Sequence, residues 1–443
     1  MPKFFKAPTG TQDLLPRYHD YFTFLKKVIR HRFRQSGYSR ITPPVFEEVG
    51  AYERSLGVDS DLFTRELYAF EDRQGRKLAL RPEMTTGIVR SFIEHEMYNG
   101  PLPAELYFIE PCFRFGRPTG GNMRQFWEFG AEVLGESDPS IDAQLIYLSH
   151  RILTDLQIRD KCELRINTMG SKEDRKQFFE AIANFYAGKE RSLSETTQEK
   201  LKQKKYAEVL QPRNEDEEIL RDMAPRITDF LSKSSKVFFD QVIDYTKSFD
   251  IDFVIDDKMT HKIKYHSNTI FEFRAKDSGQ KILVGGRYDD LIEEMGGPKV
   301  GGVGFAAGIN RLIDLMMRNG IAVPHKDYIQ IFLAATGPVA KKKALPILVQ
   351  LREHGFHAVG VLGKTSMQEQ LKRAEEFNVP CTLLIGDLEV KKGEIIVRDM
   401  ESRKQHWIPQ QDVIKEMEKV LGKPQKLTHN VEKLDTTVDF LSY

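Results

Sequence analysis

The segment from Tyr107 to Gly135 combines cationic and acidic side chains with a glycine-rich turn. Its first arm is apolar, and its second arm, Gln125 to Val133, is rich in aromatic and β-branched residues, so it predicts two strands joined by a loop. Guanidinium groups suit phosphate oxygens and carboxylates suit amines, so such a hairpin could hold a phosphorylated ligand and an amine together. A solvated hairpin with surface salt bridges is the alternative. The charged residues concerned are Arg114, Arg117, Arg124, Glu128 and Glu132.

A second candidate binding position lies where a predicted hairpin gives way to a helix. LYAFED and KLALRP alternate around a QG turn, which predicts two paired strands. Pro82 and Glu83 follow, and proline suits a first helical turn while a carboxylate suits the positive end of the helix dipole. Glu83 and Thr85 could bind an ammonium group there. The alternative is an ordinary helix start.

Composition restricts the class of protein. The 443 residues predict about two or three domains. A net charge of +1 provides no global basic field, so any nucleic-acid binding would need local patches. Cys112, Cys162 and Cys381 are far apart without metal-ligand spacing, which predicts buried thiols in a reducing cytoplasm. No apolar run approaches the roughly 20 residues of a membrane span, so we expect no membrane contact.

The order of predicted elements divides the chain. Strand patterns occupy residues 1–170 and 251–323, and charged helical segments dominate residues 171–250 between them. We therefore predict an α+β domain in two parts, interrupted by a helical insertion. Its lack of regular strand–helix alternation argues against a doubly wound parallel sheet. Residues 328–423 do alternate and predict a small α/β domain, and residues 424–443 form a polar tail.

Several segments together resemble the motifs of one enzyme family. APTGTQDLLP is similar to the family's lead-in, and GYSRITPPVFEEV is similar to motif 1, with Pro44 as its dimer-interface proline. LALRPEMTTGIVR resembles the LRPExT segment, and YFIEPCFRFGRP with RQFWEFGAEVLG resembles motif 2. VGGRYDDL and GVGFAAGINRL resemble the second histidine-specific signature and motif 3. In this order, over about residues 1–420, the chain resembles class II aminoacyl-tRNA synthetases, and among them the histidyl-tRNA synthetases.

This resemblance implies a fold, an activity and partners. The fold is a class II synthetase-like antiparallel sheet of six or seven strands with helices, a helical insertion and a C-terminal α/β domain similar to the anticodon-binding domain. The activity is that of a histidine–tRNA ligase, which activates histidine with ATP to an adenylate and transfers it to tRNA(His). The implied cofactors are ATP and Mg²⁺. The implied partners are tRNA, histidine and a second copy of the chain, in the cytoplasm.

The resemblance also assigns the phosphate contacts. Arg114, the motif 2 arginine, would contact the α-phosphate of ATP and the carboxylate of the amino acid. Arg311, which ends motif 3, would hold the γ-phosphate end. These roles agree with the chemistry, because fixed guanidinium groups offset the charge that develops when a carboxylate attacks phosphorus.

The amino-acid contacts follow from the same resemblance. Glu83 and Thr85 would take the α-ammonium group of histidine. Glu132, with Tyr265 and Tyr288 nearby, would shape the imidazole pocket.

The first histidine-specific signature departs from the family pattern. The family has LVRGLDYY, and this chain reads MTHKIKYH, so its arginine is His261, its aspartate is Lys264 and its second tyrosine is His266. In motif 2, the glutamine that helps to hold the ammonium group is Glu128. The arginine lost at 261 is a cation at the reacting phosphate, and an imidazole is only partly charged near neutrality. An exposed surface histidine is the alternative for that residue.

The sequence leaves alternatives for the structure of the altered signature and for the activity of the chain. HKIKYHSNTIFEFRA predicts a strand, whose alternation would place Lys262 and Lys264 on the face opposite His261, although the segment could instead be a loop. The altered signature favours a catalytically altered paralogue that acts as a histidine sensor or regulatory subunit. A C-terminal domain with basic Lys364, Lys372 and Arg373 favours tRNA binding and hence the ligase. Ligation of another amino acid, or of histidine to a different acceptor, is a third possibility.

Overall fold

The computed structural model describes residues 5–116, 122–324, 329–360, 363 and 366–424. Arg117, Lys364 and the predicted tail beyond residue 424 lie outside these ranges. The chain forms two compact units, residues 1–324 and residues 325–443.

The first unit contains eleven strands and twelve α-helices among its described residues. The strands are β1 (Ser39–Arg40), β2 (Phe46–Glu48), β3 (Tyr68–Glu71), β4 (Lys77–Leu80), β5 (Ala104–Phe113), β6 (Gln125–Leu134), β7 (Cys162–Thr168), β8 (Val254–Ile255), β9 (Ser267–Ala275), β10 (Lys281–Tyr288) and β11 (Gly302–Gly308). The helices are α1 (Pro16–Gln35), α2 (Val49–Leu56), α3 (Asp61–Thr64), α4 (Thr85–Glu94), α5 (Pro139–Asp155), α6 (Lys172–Tyr186), α7 (Glu195–Lys202), α8 (Tyr206–Val209), α9 (Glu215–Met223), α10 (Lys233–Lys247), α11 (Leu291–Glu294) and α12 (Ile309–Arg318).

A central sheet of eight strands, in the order β1-β5-β6-β11-β10-β9-β7-β8, organises this unit. All neighbours from β5 to β7 are antiparallel, and only the two-residue strands β1 and β8 at the edges pair in parallel. The predicted α+β class with an antiparallel sheet is therefore confirmed. The sheet exceeds the expected six or seven strands because of these two short edge strands. A separate sheet has the order β2-β4-β3.

One face of the central sheet buries the main apolar core, and the other face carries polar groups. On β6, Phe129, Ala131 and Val133 point into the core and are fully buried. Because side chains of a strand alternate, Glu128 and Glu132 point to the opposite face. The helices α1, α5, α10 and α12 contribute to the core side, and α1 does so through an apolar stripe at helical spacing.

Five helices, α6 to α10, lie between β7 and β8. A small separate apolar cluster forms among these helices, and it contains Phe178, Ile182 and Tyr186 of α6 and Val209 of α8. Helix α6 begins with a capping box in which Ser171 and Asp174 satisfy each other's backbone amides. Helix α10 packs against α5 and so joins the main core.

The second unit is a five-stranded sheet in the order β13-β12-β14-β15-β16. Its strands are β12 (Ile331–Ala335), β13 (Ala358–Val359), β14 (Cys381–Ile385), β15 (Glu394–Asp399) and β16 (Gln405–Pro409). Its helices are α13 (Pro338–Glu353), α14 (Met367–Glu376), α15 (Asp387–Lys392) and α16 (Val413–Leu421). Strand β12 is parallel to β13 and β14, whereas β14, β15 and β16 are antiparallel.

Within the described ranges, no helix has both the length and the apolar character to cross a membrane. All three cysteines are buried free thiols.

Candidate active site

The polar face of the central sheet is the floor of a cavity of about 1290 Å³. Strand registers align Glu132 of β6 with Gly304 of β11 and Gly286 of β10, so these three lie in one row across the floor. A Cβ atom on Gly304 would lie 1.7 Å from Oε2 of Glu132. The glycine is therefore required for the carboxylate to lie across the neighbouring strand.

Glu132 is buried at one end of this floor, with a relative exposure of 2%. Its Oε1 accepts a hydrogen bond from the Thr85 hydroxyl at 2.6 Å, and its Oε2 accepts one from the Tyr288 hydroxyl at 2.5 Å. Burial raises the pKa of Glu132 to about 8, because the ionised carboxylate loses its hydration, and the like charge of nearby Glu83 adds to the rise. The carboxyl group is thus mostly protonated at neutral pH.

Glu83 lies at the N-terminus of α4 and uses its carboxylate as a cap. Its Oε2 accepts from the Thr85 amide at 2.6 Å, and its Oε1 accepts from the Thr86 amide at 3.0 Å and from the Thr86 hydroxyl. The helix begins at Thr85 rather than at the proline. A fixed carboxylate beside the Thr85 side chain can accept a hydrogen bond from an ammonium group that enters the cavity.

Two tyrosine rings line the cavity beside Glu132. The ring centroids of Tyr265 and Tyr288 are 5.6 Å apart at an angle of 72°, and both side chains are buried. An acid, two hydroxyl groups and two aromatic rings converge here. This arrangement can bind a small aromatic heterocycle with ring nitrogens.

Arg114 lies just beyond the end of β5 and lines the cavity. Its Nε donates to the carbonyl of Pro82 at 2.7 Å, and its Nη2 lies 3.7 Å from Oε1 of Glu128. The guanidinium also covers the ring of Phe126 at 5.1 Å. Burial raises the pKa of Glu128, although Arg114 opposes the rise.

Arg311 lies in the first turn of α12 and lines the cavity. Its Nη1 donates to the backbone carbonyl of Lys281 at 2.9 Å, and its Nη2 donates to Oδ1 of Asn122 at 3.0 Å. The structure thus brings both predicted arginines into one cavity with the amino-acid pocket residues.

The altered signature forms a loop, so the predicted strand over residues 261–266 is wrong and β9 begins only at Ser267. His261 is 5% exposed, which also excludes the surface histidine. Its Nδ1 lies 3.1 Å from Nδ1 of His266, and its Nε2 lies 3.1 Å from Oε1 of Glu272. Burial lowers the pKa of both imidazoles, which favours their neutral forms. His261 is therefore a poor cation.

The lysines of this loop do not take its place beside Glu272. Lys262 and Lys264 are exposed. The ammonium group of Lys262 lies 3.9 Å from Glu208 of α8, and the Lys264 side chain passes beside Gly57.

Among the cavity-lining cations that the sequence motifs did not single out, two lie beside the altered signature. Lys281, the first residue of β10, donates from Nζ to Oε1 of Glu272 at 2.5 Å. Arg175 of α6 donates to the carbonyl of His266 at 2.7 Å. The hairpin of β9 and β10 could have indicated Lys281 from its place near the Glu272 strand, whereas the α6 contact joins segments too distant in sequence for any local signal.

Comparisons with known proteins agree with this geometry. A family model described as "Histidyl-tRNA synthetase" matches residues 10–312, and one described as "Anticodon binding domain" matches residues 330–420. The chain is 34% identical over 422 residues to a histidine–tRNA ligase of Anoxybacillus flavithermus, covering 94% of this chain and 99% of that protein. It is 34% identical over 419 residues to the Halothermothrix orenii ligase, with the same coverages.

A solved structure adds the fold. Apo histidyl-tRNA synthetase of S. aureus superposes with a TM-score of 0.76 at 28% identity, over 93% of this chain and 99% of that one. The motifs, the antiparallel sheet and the two matching modules together confirm the resemblance seen in the sequence. The chain belongs to the histidyl-tRNA synthetase family.

Proposed function

We propose that the chain is an ATP-dependent histidine–tRNA ligase. It activates histidine to histidyl-adenylate and then transfers the histidyl group to the 3′ end of tRNA(His). The observation that carries this proposal is the buried Glu132, held by Thr85 and Tyr288 beside the Tyr265 ring. That pocket retains every residue that the family resemblance assigns to the imidazole, even though the neighbouring signature is altered.

In this proposal, histidine lies with its ring against Glu132 and its ammonium group toward Glu83 and Thr85. A protonated Glu132 donates its O–H to an unprotonated imidazole nitrogen, and the ionised form accepts from an imidazole N–H. Because the pKa of Glu132 is about 8, both forms are accessible near neutrality. Glu128 supplies a further acceptor for the ammonium group where the family has an amide.

Arg114 and Arg311 bind ATP on the other side of the amino acid. The histidine carboxylate attacks the α-phosphorus, an O–P bond forms, the bond to the bridging oxygen breaks, and pyrophosphate leaves with the electron pair. Arg114 is placed to stabilise charge on the oxygens of the α-phosphate. Arg311 is placed to stabilise charge on the pyrophosphate that leaves. Each guanidinium presents paired donors that match phosphate geometry.

Mg²⁺ is the metal that we propose to accompany ATP. The described residues contain no group of three or more His, Cys, Asp or Glu side chains placed to hold a metal ion. We propose that Mg²⁺ enters bound to ATP. At phosphate sites Mg²⁺ retains several waters and needs few protein ligands. When bound, it neutralises part of the phosphate charge.

The second unit supports tRNA as the partner, because its fold and its family match are those of an anticodon-binding domain. The regulatory paralogue is not favoured, since curated relatives at 34% identity over nearly the whole chain are ligases. A homodimer with Pro44 at its interface, and a cytoplasmic location, remain proposals.

The test is amino-acid-dependent ATP–pyrophosphate exchange across the twenty amino acids, with two variants at one position. Thr85→Val removes the hydroxyl that donates to Glu132, and Thr85→Ser retains it. We expect exchange with histidine alone, and about a tenfold or greater rise in KM for histidine in the valine variant. The Thr85 hydroxyl also faces the charged α-ammonium group in this proposal, and one hydrogen bond to a charged group is worth about 1.5 to 3 kcal/mol. The serine variant is the matched control. Absence of histidine-dependent exchange, or preference for another amino acid, would reject the function.

A further inference from the structure

The end of the cavity around residue 261 has an acid–base cluster without a charged imidazole. Glu272 is fully buried on β9, and three side chains approach it. Arg274 approaches its Oε2 with two nitrogens at 2.7 Å. Lys281 and His261 both approach its Oε1, at 2.5 and 3.1 Å. The Glu272 charge is thus compensated by Arg274 even when Lys281 is left out.

The ammonium group of Lys281 has hydrogen-bond donors that Glu272 does not use. It carries three N–H donors, and one hydrogen bond, to Glu272, accounts for one of them. Its side chain is 37% exposed and lines the cavity. The backbone carbonyl of the same residue accepts from Arg311, so the lysine is anchored next to the proposed phosphate-binding arginine.

Two other cations near this cluster already donate to protein groups. Arg274 gives two nitrogens to Glu272 and is absent from the described cavity lining. Arg175 lines the cavity, but its Nη1 is directed to the backbone carbonyls of His266 at 2.7 Å and Gly170 at 3.3 Å. Lys281 thus combines exposure to the cavity, free donors and direct contact with Glu272, and the loop lysines Lys262 and Lys264, which also line the cavity, do not contact Glu272.

The geometry points to Lys281 as the group that binds phosphate oxygens of ATP at this end of the cavity, in place of an arginine at residue 261. This inference rests on the proposed function, since it concerns ATP in the adenylation reaction. Lys281 forms no covalent bond in the reaction; it donates hydrogen bonds to oxygens that gain charge as pyrophosphate departs. His261 lies 3.1 Å from the same Glu272 oxygen, and its Nε2 has no hydrogen-bond partner among the described residues.

The experiment compares Lys281→Met with Arg274→Met. Both variants remove a cation from Glu272, but only the first removes one that lines the cavity. We expect Lys281→Met to lower kcat of histidine-dependent ATP–pyrophosphate exchange by about 10²-fold, the effect of losing one charge-stabilising donor, with KM for histidine unchanged. Arg274→Met should stay within about twofold of the wild type, as for substitutions away from the reaction.

A rescue variant separates chemistry from folding. Adding His261→Arg to Lys281→Met returns a cation to the same end of the cavity and should recover a substantial part of the lost kcat. Exchange by Lys281→Met within twofold of the wild type, or an equal loss in Arg274→Met, overturns the inference.

ATP binding without histidine keeps this inference distinct from the proposed function. If the wild type shows no histidine-dependent exchange, the proposed ligase fails, and equilibrium dialysis with ATP still decides the role of Lys281. Weaker ATP binding by Lys281→Met than by Arg274→Met supports the contact, and equal affinities of the two variants overturn it.

Discussion

Replacing Glu132 with glutamine tests the electrostatics of the amino-acid pocket. The substitution keeps the size of the side chain and a carbonyl oxygen for the Thr85 hydroxyl, and it removes the ionisable group. Burial raises the pKa of Glu132 from its ordinary value of 4.5 to about 8. The folded protein therefore retains this proton at pH values where the unfolded chain has lost it.

The sign and size of the effect follow from proton linkage. Between pH 4.5 and 8 the folded state binds more protons at this group than the unfolded state does, so its contribution to stability falls as pH rises. A rise from 4.5 to about 8 corresponds to on the order of 4 to 5 kcal/mol. We expect the free energies of unfolding of Glu132→Gln and the wild type to be closer at pH 4.5. At pH 8.5 the variant should be the more stable protein, and the difference in free energy of unfolding should grow by this amount between the two pH values.

The assay is urea unfolding followed by tryptophan fluorescence. The chain has two tryptophans, Trp127 in the first unit and the exposed Trp407 in the second. A Trp407→Phe background therefore lets Trp127 report on the first unit alone. Glu48→Gln, the same substitution at an exposed residue, provides the baseline. If the stability difference between Glu132→Gln and the wild type does not change from pH 4.5 to 8.5, the raised pKa is refuted.

Two further substitutions probe the floor and the core. In Gly304→Ala the added Cβ would lie 1.7 Å from Oε2 of Glu132, so we expect histidine-dependent exchange to be lost while the unfolding transition persists; retained histidine affinity would contradict the packing argument. Arg287→Met leaves the fully buried Asp142 unpaired, and we expect a loss of about 3 to 5 kcal/mol in urea unfolding, much of it recovered by adding Asp142→Asn. An equal loss in the single and double variants would show that the ion pair is not the cause.

The fold and the amino-acid end of the site were predictable from the sequence because local pattern determines them. Along β6, the alternation of Phe129, Ala131 and Val133 with Glu128 and Glu132 assigns one set to the core and the other to the cavity before any contact is known. Those residues also lie within ordered motifs, so the resemblance placed them on the correct elements. The family match confirms the family resemblance and the fold class.

The phosphate end could not be predicted in the same way. Whether His261 is exposed or buried depends on how a loop without regular structure packs against α6 and β9, which no periodicity encodes. The pattern around it was continuous with β9, so it suggested a strand and misplaced the neighbouring lysines. The β9–β10 hairpin brings Lys281 near the Glu272 strand, but the contact between the two side chains depends on a pairing register that the sequence pattern does not determine.

Charge state is the other property that a count of residues conceals. Glu83, Glu128 and Glu132 suggest a strongly anionic pocket, suited to a ligand more cationic than neutral histidine. Burial raises the pKa of Glu128, and it raises that of Glu132 to about 8, so Glu132 adds less negative charge to the pocket than an ionised carboxylate would. An entering α-ammonium group favours the ionised form of an acid beside it. Glu132 can therefore remain partly protonated in the free protein and ionise when histidine binds, which makes an acid-rich pocket compatible with a neutral imidazole.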